Sequence, residues 1–141
     1  MEGITVVTGT VGHDSHVIGT RILSRFLKDN GFKVVELGAL TMPDEFIKAA
    51  VETGAAAILI SSYYGMGEFD LQGFREKCIE AGLTDILLYV GGYLAVGKQE
   101  FKHVEAKFKE LGFDRVYPPG ADLKKVLEDL VNDLKMKKKA R

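Results

Sequence analysis

The stretch "GHDSHVIG", residues 12–19, places two imidazoles, a carboxylate and a hydroxyl between an apolar run and a segment with helical spacing. A plain strand-to-helix connection needs only about two to six residues and no special chemistry. In an extended turn, residues two apart project to the same side, so Asp14 can accept a proton from one ring nitrogen of His16. That bond leaves the other nitrogen with a lone pair and a fixed ring, the state a metal-ligating histidine requires. The plainer alternative is that Asp14 or Ser15 caps the following helix and His16 lies on the surface. On these eight residues alone both readings stand. His13 competes as a ligand, but it directly precedes Asp14 and lacks the same-side relation. A zinc centre needs further His or Cys ligands, which the sequence does not cluster. A Ser-His-Asp hydrolase needs its three groups to converge in a geometry that adjacent residues cannot adopt. One imidazole without partners suits a metal whose other positions are filled by a macrocycle.

The elements that would position this turn follow from the apolar pattern. Five short runs read as buried strands, at residues 4–8, 33–37, 56–61, 86–90 and 115–117. Helical spacing fills the intervals, at about 17–29, 44–53, 68–81, 98–111 and 122–136. In the first helix Val17, Ile18, Ile22, Leu23, Phe26 and Leu27 form the expected apolar face, with Arg21, Ser24, Lys28 and Asp29 opposite. Pro43 opens the second, with Asp44 and Glu45 near its positive end. This alternation predicts an α/β fold, a five-stranded parallel sheet between two helical layers, flavodoxin-like, in the order 2-1-3-4-5.

The glycines fall into two sets. Gly31, Gly54, Gly82 and Gly112 each follow a helix, as left-handed caps. Gly9, Gly12, Gly65, Gly67, Gly91, Gly92 and Gly97 follow strand ends. Open α/β sheets bind ligands at the carboxyl ends of the strands, where strand order reverses. The predicted order puts that crevice between the first and third strands. "GTVGHDSHVIG", "SSYYGMG" and "VGGYLAVG" therefore converge on one rim.

Nineteen Lys and Arg against 20 Asp and Glu leave a net charge of −1, so no overall field favours nucleic acid or an anionic membrane. The single cysteine, Cys78, rules out an intramolecular disulfide and suits a reducing compartment; on the third helix it reads as a packing residue. With no signal-peptide pattern and no membrane-length apolar run, a cytoplasmic protein is expected. One domain is expected over residues 1–134, followed by a solvated, frayed basic tail at 135–141. His103, on the fourth helix, is expected on the surface.

The motif Asp14-x-His16-x-x-Gly19 resembles the signature of the cobalamin-binding fold of mutases and methionine synthase. Residues 52–101, "ETGAAAILISSYYGMGEFDLQGFREKCIEAGLTDILLYVGGYLAVGKQEF", are similar to the small subunits of glutamate mutase. The likeness runs from the first strand to "DRVYPPG". It implies adenosylcobalamin held base-off, its nucleotide tail in a protein slot, with His16 as lower cobalt ligand and Asp14 as the orienting partner. It also implies that Gly19 lets the first helix approach the tail and that Ser61 hydrogen-bonds the tail base. Gly91 and Gly92 would clear the slot, with Tyr93, Leu94, Ala95, Val96 and Gly97 continuing its wall. His13, Ser15, Val17, Ser62 and Tyr63 complete the implied cofactor contacts. The chain departs from the family pattern at Tyr63, where leucine is usual, and at Tyr93, where a smaller polar residue is usual.

The implied activity is radical interconversion of L-glutamate and L-threo-3-methylaspartate, an isomerase reaction for which this chain would be inactive alone. Beyond the cobalt ligand, no catalytic residue is implied here. A larger subunit, expected to resemble a TIM barrel, would cover the upper corrin face and bind the amino-acid substrate. Within the class, the alternatives are a corrinoid carrier for a methyltransferase and a subunit of another mutase such as an acyl-CoA mutase. Outside it, the alternative is an FMN-binding flavodoxin-like electron carrier. A flavin carrier calls for a Ser/Thr-rich phosphate loop after the first strand, where "GTVGHDSH" offers Thr10 and Ser15.

Overall fold

The computed structural model describes residues 3–11, 18–62, 71–92, 101–118 and 120–140. The apolar runs form five parallel strands: β1 (Thr5–Thr10), β2 (Lys33–Glu36), β3 (Ala57–Ser62), β4 (Leu87–Gly92) and β5 (Arg115–Tyr117). The described helices are α1 (Ile18–Asp29), α2 (Pro43–Thr53), α3 (Phe74–Glu80), α4 (Phe101–Glu110) and α5 (Leu123–Ala140). Sheet order is β2-β1-β3-β4-β5, as the sequence predicts. Among the described residues no helix is long and apolar enough to cross a membrane.

Several boundaries differ from expectation. β1, β3 and β4 run on to Thr10, Ser62 and Gly92, so Gly9, Gly91 and Gly92 lie inside strands rather than after them. At Gly9 the reason is packing: a Cβ would stand 2.9 Å from Cε1 of the buried Phe46 ring. Residues 71–73, expected inside the third helix, form a turn in which Gly73 takes a φ of +74°, and α3 runs from Phe74. Left-handed backbone cannot continue a right-handed helix. The predicted starts at 68–70 and 98–100 lie outside the described residues. α5 extends through Ala140, which puts the basic run in its last turns, near the negative end of the helix dipole.

Helices α2, α3 and α4 cover one face of the sheet. There Val7, Ile58, Ile60, Leu88, Val90 and Val116 meet Phe46, Ile47, Phe74, Cys78, Val104, Phe108 and Phe113. Phe74 lies edge-on to Phe46 at 6.4 Å and nearly parallel to Phe113 at 6.1 Å. Each such pair adds about 0.5–1.5 kcal/mol beyond area burial. Cys78 packs here as expected; burial pushes its thiol up to about 11, against the opposing Arg75 charge. α1 and α5 cover the other face, where Val6, Ala57, Leu59, Leu87 and Tyr89 meet Leu27, Phe32, Val126, Leu130 and Leu134.

The caps Gly31, Gly54, Gly82 and Gly112 all have positive φ. Gly112 answers a second demand, since a Cβ there would lie 2.5 Å from Arg75 Cβ. Arg75 donates to the carbonyls of Gly112 (2.9 Å) and Ile86 (2.8 Å) and to Asp114 Oδ2 (2.8 Å).

α1 is rotated from its predicted face. Ser24, expected outward, is 1% exposed, whereas Ile22, expected inward, is 54% exposed. Two hydroxyl pairs account for this: Ser24 Oγ lies 2.8 Å from Thr8 Oγ1, and Thr20 Oγ1 lies 2.9 Å from Thr10 Oγ1. Satisfied in pairs, these hydroxyls can be buried against β1, and the helix turns to bury them.

Candidate functional site

Strand register sets Thr10, Ser61, Gly91 and Tyr117 side by side in one row across the carboxyl rim of the sheet. Neighbours in such a row are about 4.8 Å apart and face the same side, here toward α1 and α5. Both ends of the row are tied down. Thr10 is bonded to Thr20 of α1, and the Tyr117 hydroxyl donates to Asp129 Oδ2 of α5 at 2.7 Å. Between these ends stand one small hydroxyl and no side chain. The helices cannot close over that gap.

What remains is a cavity of about 310 Å³ between α1 and α5. Ile22 and Leu23 of α1 form one wall, and Leu123 and Val126 of α5 with Pro118 and Ala121 form the other. Leu59, Ser61, Tyr89, Gly91, Gly92 and Tyr117 make the floor. The size falls at the lower end of small-molecule sites, about 300–1,000 Å³. The segments that follow β1 and β3, where the crevice is expected, lie outside the described residues; the described cavity spreads over β3, β4 and β5, and the Thr10–Thr20 pair occupies the β1 end of the row.

The two glycines of "VGG" have separate tasks. A Cβ on Gly91 would press on Tyr117 Cβ at 3.3 Å. Gly92 has a φ of +101°, which a residue with a side chain rarely adopts. One residue beyond Ser61, Ser62 faces the other side by strand alternation; it is 0% exposed, and among the described residues its hydroxyl has no hydrogen-bond partner.

Behind the floor lies a polar network. Asp133 takes a two-pronged contact from Arg115 (3.1 and 3.0 Å) and a hydrogen bond from the Tyr89 hydroxyl. Asp129 accepts from Tyr117 and from Lys125 Nζ at 2.8 Å. Burial works to raise both carboxyls. Hydrogen bonds from Lys125 and Tyr117 at Asp129, from Arg115 and Tyr89 at Asp133, and the Arg115 charge outweigh it, holding both below the usual carboxylate range. Burial first, then the aspartates, push the Tyr89 and Tyr117 phenols above their ordinary value. At neutral pH the network therefore consists of two carboxylates held by neutral phenol donors and by cations.

The end of β1 is fixed where the motif begins. Thr10 N–H donates to the Gly38 carbonyl at 2.8 Å and Val11 N–H to the Ser61 carbonyl at 3.1 Å, while Thr41 N–H donates to the Thr10 carbonyl at 3.0 Å. The last described residue before the motif, Val11, is thus held beside Ser61. His13, Asp14, Ser15, His16 and Val17 lie outside the described residues, as do Tyr63 and Tyr93, Leu94, Ala95, Val96 and Gly97. Gly19 is in the first turn of α1. His103 is exposed on α4, as expected.

Ile22, Leu23, Tyr89, Tyr117, Pro118 and Val126 line the cavity but were not singled out from the sequence. The available signal was "YPPG", residues 117–120, which ends the fifth strand on the same rim as "VGG".

Residues 4–126 match the family described as the B12 binding domain. The chain is 53% identical over 134 residues to the glutamate mutase sigma subunit of Carboxydothermus hydrogenoformans, covering 95% of this chain and 98% of that one. It is 52% identical over 134 residues to the sigma subunit of Clostridium cochlearium, with the same coverage of 95% and 98%. A solved cobalamin-binding protein from Desulfitobacterium hafniense shares the fold, with a TM-score of 0.76 at 18% identity over 94% of this chain and 59% of that one. The chain therefore belongs to the B12 binding domain family and, within it, to the glutamate mutase sigma subunits.

Proposed function

We propose that this chain carries adenosylcobalamin for an isomerase that interconverts L-glutamate and L-threo-3-methylaspartate. The observation that carries the reading is the cavity at the rim. Its walls are apolar, and among the described lining residues Ser61 supplies the one hydroxyl that no aspartate engages. That chemistry fits a heteroaromatic base with apolar faces and one ring nitrogen able to accept a hydrogen bond, the end group of a cobalamin tail.

When bound, adenosylcobalamin would supply the radical chemistry of the rearrangement. The residues of this chain hold and orient. His16 would offer a ring nitrogen to cobalt, and Asp14 would accept the proton of the other nitrogen, fixing tautomer and ring direction. Ser61 donates to the tail base, while Gly19, Gly91 and Gly92 leave room for it. His13, Ser15, Val17, Tyr63 and the segment from Tyr93 to Gly97 complete the proposed contacts; Ser62, buried on the other face of the sheet, does not belong to the set. None of them is assigned to the amino acid. Radical chemistry needs shelter from water, so the proposal includes a larger subunit, resembling a TIM barrel, that covers the upper face and binds substrate. The sigma-subunit naming of the relatives supports such a partner. Family membership also favours this reading over a methyltransferase carrier, and over a flavin carrier with the same strand order.

Reconstitution tests it. The chain, adenosylcobalamin and a larger subunit together should turn over glutamate. His16→Ala should lower the rate at least tenfold and Asp14→Asn by about 10–100-fold, whereas His13→Ala should cost far less than His16→Ala. Equal loss at His13 and His16 would reassign the ligand; turnover by this chain alone would contradict the need for a partner.

A further inference from the structure

The slot floor contains two tyrosines whose rings face the cavity while their hydroxyls point away from it. Tyr89 and Tyr117 stand 5.8 Å apart, centroid to centroid, tilted by 57°. Both hydroxyls end on carboxylates of α5 spaced one helical turn apart, Tyr117 on Asp129 and Tyr89 on Asp133. Asp129 is 4% exposed. Burying a carboxylate is costly, and packing alone does not call for one, since Val126, Leu130 and Leu134 of the same helix already provide apolar contact with the sheet. What Asp129 adds is direction. A phenol anchored at its far end cannot swing its ring into the gap beside Gly91, and its one donor proton is already committed.

We infer that Asp129 and Asp133 are positioning residues for the tail slot: by anchoring the Tyr117 and Tyr89 hydroxyls they set the wall against which the nucleotide base lies. The inference rests on the cobalamin reading above. The two carboxylates act through the tyrosines and do not touch the ligand. Tyr117 is the more exacting of the pair, because it closes the rim row and its Cβ sits where a Gly91 side chain would press. Freed from Asp129, its ring would be held by packing alone, and its hydroxyl would become a competing donor within the slot.

The test compares two probes on the full chain, adenosylcobalamin and adenosylcobinamide, which has the corrin but lacks the nucleotide tail. Affinities are measured by absorbance titration for the wild type, Tyr117→Phe, Asp129→Ala and the double variant. The wild type should prefer the tailed probe. Each single variant should weaken that probe about tenfold, the free-energy scale of one hydrogen bond to a charged group, and change cobinamide binding less than about twofold. The double variant should be no worse than Asp129→Ala, since one bond is lost in each case. Tyr117→Phe keeps the ring and the fold, so loss of folding in Asp129→Ala leaves the test intact. Variants that keep the wild-type preference would overturn the inference. A wild type that binds neither probe would instead overturn the cobalamin reading beneath it.

Discussion

Ser61 and Ser62 are chemically identical neighbours with opposite surroundings, because successive strand residues face opposite sides of the sheet. Ser61 opens onto an apolar slot that can use its hydroxyl. Ser62 buries a hydroxyl that has no partner among the described residues against the α2 and α3 layer. Leaving such a group unsatisfied costs about 1–3 kcal/mol. Ser62→Ala should therefore stabilise the cofactor-free chain by about 1 kcal/mol in urea unfolding, while Ser61→Ala should leave stability nearly unchanged. A destabilised Ser62→Ala chain would mean that the hydroxyl has a partner. The two residues also show how far single positions can be read in advance. A hydroxyl ending an apolar strand marks a site, but its face follows only from register.

At the scale of elements, strands and helix caps were legible because their physics is local. Unbroken apolar runs mark doubly covered strands, and a glycine after a helical segment marks a left-handed cap. The face of α1 was not legible. Its orientation follows from pairing Thr8 with Ser24 and Thr10 with Thr20, and hydroxyls from two segments carry no periodic signal. The tyrosine wall was missed for a similar reason: a Tyr in the three-residue β5 reads as core until α5 shows what binds its hydroxyl. That same α5 network sets a pH dependence. Folded Asp129 and Asp133 have lowered pKa values, so their contribution to stability is complete above the unfolded carboxylate value, about 3.9, and disappears as pH falls through the folded values. The folded phenols have raised values, so stability also declines as pH rises past about 10, where the unfolded tyrosines ionise and the folded ones do not. Asp133→Asn should cost about 1–3 kcal/mol at neutral pH and flatten the acid limb of a melting-temperature profile. An acid limb as steep as that of the wild type would assign the dependence to other carboxylates.

The whole molecule is asymmetric about its sheet. One face is filled by Phe46, Phe74, Phe108 and Phe113, which makes it a rigid backing. The other is closed only at a distance from the rim, where the hydroxyl ties at Thr10 and Tyr117 hold α1 and α5 apart over Ser61 and Gly91. Doubly wound sheets bind at the carboxyl ends of their strands, and the open part of the packing lies at that end, where β1 finishes shortly before the motif in sequence. The most direct measurement is the paramagnetic resonance spectrum of the reduced cobalt in the holoprotein, prepared from cells fed histidine labelled with heavy nitrogen. Cobalt held from below by His16 predicts that the nitrogen splitting changes with the label and vanishes as a histidine signal in His16→Ala. Splitting that ignores the label and comes from the cofactor's own benzimidazole would contradict the account.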